Sequence, residues 1–135
     1  MNLFELTTEL MSIPSVSGEE EAVGFWLRDY LESLGWTVEL QEVGEPTLLS
    51  ASPVPPANRF LDAEAASMRT GVPALRQYNV IAYLNESPRV WLSTHMDTVP
   101  PFIAPTEDDE KIYGRGSCDA KGIIAAQITA AELLR

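Results

Sequence analysis

Apolar residues recur at helical spacing in three parts of the chain and alternate with polar residues in a fourth. Leu3, Leu6, Leu10 and Ile13 share one helical face, and the ring of Pro14 excludes the residue before it from helix. This predicts a short helix over about Leu3 to Met11. Ser17-Gly18-Glu19-Glu20 reads as a capping box, with Ser17 accepting from the Glu20 N–H while the Glu20 carboxylate reaches back. A second helix should follow, carrying a stripe of Val23, Trp26, Leu27, Tyr30, Leu31 and Leu34, with Gly35 as its left-handed stop. Trp36, Val38 and Leu40 then alternate with polar residues up to Val43, the signature of a strand with one buried face.

Tyr78 to Leu84 and Val90 to Thr94 are apolar and β-branched on both faces, which predicts inner strands of a covered sheet joined by a hairpin turn at Asn85-Glu86-Ser87-Pro88. After Asp119 the run Ile123, Ile124, Ala125, Ala126, Ile128, Ala130, Ala131, Leu133 and Leu134 is helical and apolar over much of its circumference, so this helix needs cover from elsewhere. Residues 44–77 are the least regular part. Pro46, Pro53, Pro55, Pro56 and Pro73 interrupt any pattern, which predicts an excursion from the sheet with room for a short helix around Leu61 to Met68. Helices and strands in this order predict an α/β fold: three α/β/α layers around a mixed central sheet.

Composition narrows the function. A chain of 135 residues, 45% of them hydrophobic, is one domain with material for a core. Its formal net charge of −11 sets up a negative field that disfavours nucleic acid and anionic membrane surfaces as partners. One cysteine cannot cross-link the fold internally, and the N-terminus lacks the basic start and apolar stretch of a signal peptide, so the expectation is a cytoplasmic protein. No apolar run reaches the roughly 20 residues of a membrane-spanning helix, and a soluble protein is expected.

Two short segments could carry chemistry. The single histidine lies in Ser93-Thr94-His95-Met96-Asp97-Thr98-Val99-Pro100, after an apolar run, where α/β folds gather ligands beyond strand ends. On a continuing strand His95 and Asp97 would share a face. A carboxylate there can take one ring N–H, fix the tautomer and leave the other nitrogen free for a metal. Taken alone, a His-x-Asp triplet is more often a polar pair at a strand end. The second segment is Tyr113-Gly114-Arg115-Gly116-Ser117-Cys118-Asp119-Ala120-Lys121-Gly122. A phosphate loop would need Gly-Lys followed by Ser or Thr, and here Lys121 precedes Gly122. A dinucleotide loop would need a glycine where Asp119 stands. What remains is a tight turn presenting Asp119, either as a carboxylate shared between cations or as the cap of the last helix.

Together these segments resemble the two signature blocks of the zinc-dependent metallopeptidase and amidohydrolase family that contains aminoacylase, acetylornithine deacetylase, succinyl-diaminopimelate desuccinylase and glutamate carboxypeptidase. Ile13-Pro14-Ser15-Val16-Ser17-Gly18-Glu19-Glu20 is similar to that family's opening segment, so three blocks in the right order span the chain, interrupted by the proline-rich excursion. The resemblance implies that His95 ligates one metal, that Asp97 orients His95 and serves catalysis, and that Asp119 bridges two divalent ions, zinc first, with cobalt or manganese as substitutes. It also implies a cis peptide at Asp119–Ala120, where Ala120 stands in place of a frequent methionine. The implied reaction is hydrolysis of an amide bond in an N-acyl amino acid or small peptide, by a homodimer when complete.

The family's adjacent glutamate pair, which supplies the general base and a ligand, has no counterpart before Arg135. The same holds for a further acidic ligand, the last metal-binding histidine and the dimerisation domain. The expectation is therefore an N-terminal portion of a catalytic domain, inactive without the remaining C-terminal part of the enzyme and holding zinc poorly with two ligands. The alternative is a non-catalytic binding or interaction module on the same scaffold. Glu107-Asp108-Asp109-Glu110 reads as a solvated acidic turn, Cys118 as a small residue packed in its turn, and Arg115 and Lys121 as braces.

Overall fold

The structure is a computed structural model that describes residues 1–43 and 77–135. The proline-rich excursion and its possible helix around Leu61 to Met68 lie outside these residues. The elements are α1 (Leu3–Ser12), α2 (Glu21–Ser33), β1 (Thr37–Val43), β2 (Gln77–Tyr83), β3 (Thr106–Glu107), β4 (Ile112–Tyr113) and α3 (Lys121–Leu133).

Helix α1 begins one residue after a cap that its apolar spacing does not reveal. The Asn2 side chain accepts from the Glu5 N–H at 2.9 Å while Glu5 accepts from the Asn2 N–H at 2.8 Å, a reciprocal box that satisfies two orphan donors. The box expected at Ser17 does not form. Helix α2 starts at Glu21 with no side-chain cap, and the Glu20 carboxylate accepts instead from the Gly18 N–H at 2.5 Å. Ser17 donates elsewhere, to a charged acceptor described below, and a bond to a carboxylate outcompetes a neutral one. Gly35 ends α2 with φ +83, a conformation that costs little without a Cβ.

The stripes meet as their periods require. Leu6 and Leu10 of α1, Val23, Leu27 and Leu31 of α2, and Ile124, Ala125 and Ile128 of α3 form one buried cluster. Trp36, Val38, Val80, Ala82 and Met96 pack against it, so the β1–β2 pair covers the cluster with one face. Strands β1 and β2 are antiparallel from Thr37↔Tyr83 to Val43↔Gln77. The far ends of α2 and α3 are tied together where Trp36 Nε1 donates to Glu132 at 2.7 Å and Arg135 donates to the Leu34 carbonyl at 2.6 Å.

The sheet departs from expectation. Both strand pairs are antiparallel and two-stranded, so the α/β class holds while a mixed sheet with helices on both faces is not formed among the described residues. Val90 to Thr94 is not a strand: no ladder reaches it among the described residues, and Val90, Trp91 and Leu92 are exposed. The turn before it bends, with Ser87 N–H donating to Asn85 Oδ1, but makes no hairpin. The physical reason is a gap. A cleft of about 710 Å3 separates β2 from residues 91–97, floored by Leu27, Leu31, Ile124 and Ile128. Strand propensity expresses a fit to neighbours, and among the described residues this segment has none at ladder distance. The buried carboxylate of Glu20 lines the same cleft, and its Oε2 has no hydrogen-bond partner among the described residues.

Candidate metal-binding site

The site lies where three segments converge. Backbone bonds stitch the first two together: Thr98 N–H donates to Ser15 O at 2.7 Å, Ser17 N–H donates to Thr98 O at 3.2 Å, and Val16 and Thr98 form a parallel bridge. The buried Ser15 hydroxyl adds a bond to Met96 O at 2.8 Å. This pairing fixes residues 95–98 without a sheet and sets Ser17 beside Asp97.

The third segment is the glycine-rich turn. At Gly114 φ is +134, and a Cβ there would meet Met11 Cε at 2.9 Å and the Ala104 carbonyl at 3.0 Å, so this position admits only glycine. A Cβ on Gly122 would collide with the Ser117 carbonyl oxygen, which lets the start of α3 press against the turn. Arg115 braces the turn through its N–H to Ile103 O and its Nε to Pro101 O. Lys121 is buried beneath it and donates from Nζ to the Ile13 carbonyl, with burial lowering its pKa from 10.5 to about 8. Both residues brace the turn, as expected. Cys118 is a correction: it is exposed, because the turn packs through Gly116 and Ala120 instead. The peptide bond between Asp119 and Ala120 is cis, as the resemblance implies.

These supports bring His95 between two carboxylates. Its Nδ1 lies 3.0 Å from Asp97 Oδ1 and 3.2 Å from the Asp97 backbone oxygen, and its Nε2 lies 2.8 Å from Asp119 Oδ1. The Asp119 hydrogen bond raises the His95 pKa above 6.5, Asp97 adds to it, and desolvation opposes both. On the far side Ser17 Oγ donates to Asp97 Oδ2 at 2.6 Å. Periodicity missed Ser17 because its partner is 80 positions away. A hollow of about 190 Å3, lined by His95, Asp97 and Gly114 to Asp119, opens beside the pair.

The donor set suits a divalent cation in part. One imidazole nitrogen is fixed by a carboxylate while the other faces a second carboxylate whose side chain is 84% exposed and free to accept more ligands. Among the described residues no three or more His, Cys, Asp or Glu side chains form a metal cage, so His95 and Asp119 fit as members of a centre without completing it.

Residues 91–135, which contain both His95 and Asp119, match the profile of peptidase family M20/M25/M40. A peptidase M20 domain-containing protein of Schizosaccharomyces pombe is 39% identical over 131 residues, covering 96% of this chain and 26% of the relative. The chain is thus similar to M20 peptidases, to the family profile over residues 91–135 and to this relative over nearly its whole length. A second M20 domain-containing protein, from Sordaria macrospora, is 37% identical over 98% of this chain and 30% of its own length. A probable carboxypeptidase of Arthroderma otae is 38% identical over 96% of this chain and 27% of its own length. The chain spans about a quarter to a third of the length of these relatives. No solved structure matches it significantly. No helix among the described residues is long and apolar enough to cross a membrane.

Proposed function

We propose that this chain supplies His95 and Asp119 as ligands to a pair of divalent ions, zinc first, in a hydrolase that cleaves the amide bond of an N-acyl amino acid or a small peptide. The observation that carries the reading is the 2.8 Å approach of His95 Nε2 to Asp119 Oδ1, with Nδ1 already held by Asp97. Once bound, such ions polarise a carbonyl and make a coordinated water acidic near neutral pH. Asp97 would keep the ring oriented with Nε2 directed toward Asp119, and His95 and Asp119 would hold the ions together.

A general base is not among the described residues of this site. The acidic run Glu107 to Glu110 is exposed on the β3–β4 hairpin, and Asp108 accepts from the Glu110 and Lys111 N–H groups and from the Tyr113 hydroxyl. On this reading the base and the remaining ligands come from outside the described residues, and residues 1–135 alone should be inactive. Relatives bearing the name probable carboxypeptidase support the peptide side of this reading.

The test is an assay of a longer protein containing these residues, on N-acetyl amino acids and dipeptides, with and without chelator. Hydrolysis that chelation abolishes and zinc restores, and that H95A and D119A each eliminate, supports the reading. Hydrolysis indifferent to chelator removes it, and a protein that binds these substrates without turnover favours the non-catalytic module.

A further inference from the structure

We infer that Ser17 is a positioning residue for the metal ligand His95, acting through Asp97. The inference rests on the proposal that His95 binds a metal through Nε2. Three consecutive contacts carry it: Ser17 Oγ donates to Asp97 Oδ2 at 2.6 Å, Asp97 Oδ1 lies 3.0 Å from His95 Nδ1, and His95 Nε2 faces Asp119 Oδ1 at 2.8 Å.

An aspartate side chain alone can rotate about its terminal torsion, which is broad and roughly two-fold. Holding Oδ2 with a short hydroxyl bond removes that freedom and leaves Oδ1 aimed at the ring. The hydroxyl is itself held, because the Ser17 N–H is fixed to Thr98 O and the Thr98 N–H to Ser15 O, so the Ser17 and Asp97 backbones keep one register. Helix α2 begins at Glu21 with Glu20 at its N-cap, so Ser17 lies ahead of the helix and its hydroxyl is committed to Asp97.

The consequence is specific to the ring. With Ser17 in place, Asp97 selects the neutral tautomer that carries its proton on Nδ1, which leaves the Nε2 lone pair for a cation. Without the hydroxyl, Asp97 can turn and the proton redistributes toward Nε2, where Asp119 also accepts it. A role confined to folding would leave the tautomer balance of the folded chain unchanged.

His95 is the single histidine in the sequence, so its imidazole nitrogens give one unambiguous set of signals in long-range 1H–15N spectra. The experiment records these in metal-free residues 1–135, with the ring neutral, for wild type, S17A, S17T and D97N, and then follows a titration with Zn2+ alone. S17A should lower the Nδ1–H to Nε2–H ratio several-fold and weaken zinc binding about tenfold, the lower end of the range for partners that orient a ligand. S17T, which keeps the hydroxyl, should restore both, and D97N should match or exceed S17A. A wild-type tautomer ratio in folded S17A, or an S17T variant that behaves like S17A, overturns the inference. Zinc binding unaffected in H95A overturns instead the reading that His95 is a ligand, so the two failures are told apart.

Discussion

His95 and Asp119 are 24 positions apart in the chain, yet Nε2 of one lies 2.8 Å from Oδ1 of the other. Nothing in local periodicity requires that meeting. It depends on the backbone bonds between residues 15–17 and 98, and on a glycine turn compact enough to carry Asp119 back over the strandless segment.

Asp97 should therefore matter through its charge as well as its shape. Asp97→Asn keeps the side-chain volume but can turn an amide donor toward Nδ1. We expect zinc affinity to fall about 10- to 100-fold, with the urea unfolding midpoint nearly unchanged. Competition with a chromophoric chelator, alongside denaturation, measures both.

Much of this arrangement was legible in the residues. The stripes Leu6–Leu10, Val23–Leu27–Leu31 and Ile124–Ile128 reported their buried faces because a 3.6-residue period is a local property. His95 and Asp119 were legible as motifs. The strand expected at Val90 to Thr94 was not realised, because a strand needs a partner edge, and the cleft beside β2 holds none among the described residues. Ser17 was read as a cap because its competitor, Asp97, is brought near only by tertiary structure. The exposure of Cys118 was equally invisible to sequence, since a turn's inward side depends on what packs beneath it.

Gly122 should not tolerate a side chain. A methyl group there would strike the Ser117 carbonyl oxygen, which is backbone and cannot rotate away. Gly122→Ala should destabilise the chain by about 1 to 3 kcal/mol, the usual cost of overpacking, although alanine is the better helix former. Urea denaturation read by circular dichroism checks this, and a variant as stable as wild type would contradict the packing of α3 against the turn.

The β3–β4 hairpin should weaken in acid. Backbone N–H bonds, led by that of Glu110, with the Tyr113 hydroxyl and the Lys111 N–H adding to it, hold the Asp108 carboxyl below its ordinary 3.8. Its folded pKa is depressed, so its contribution is fully present above the unfolded value and is lost as pH falls through the folded one. Carbon-13 titration of the carboxyl should show a midpoint below 3.8 that coincides with weakening of the Glu110 and Lys111 amide protection. A midpoint at or above 3.8 would remove the proposed bonds.

Residues 1–135 on their own should self-associate. Val90, Trp91 and Leu92 are 74%, 66% and 57% exposed, and they flank an apolar-floored cleft, a combination that marks a contact surface. Sedimentation velocity should show mass rising with concentration, and Trp91→Ser should reduce the effect. A monomer at all concentrations would count against an open cleft.

The central claim is that His95 and Asp119 face one cation. Anomalous diffraction at the zinc edge, from crystals of a longer protein that includes these residues, tests it most directly. The account predicts a peak about 2.0 to 2.2 Å from both His95 Nε2 and an Asp119 carboxylate oxygen. Zinc bound elsewhere, with His95 Nε2 still hydrogen bonded to Asp119, would contradict it.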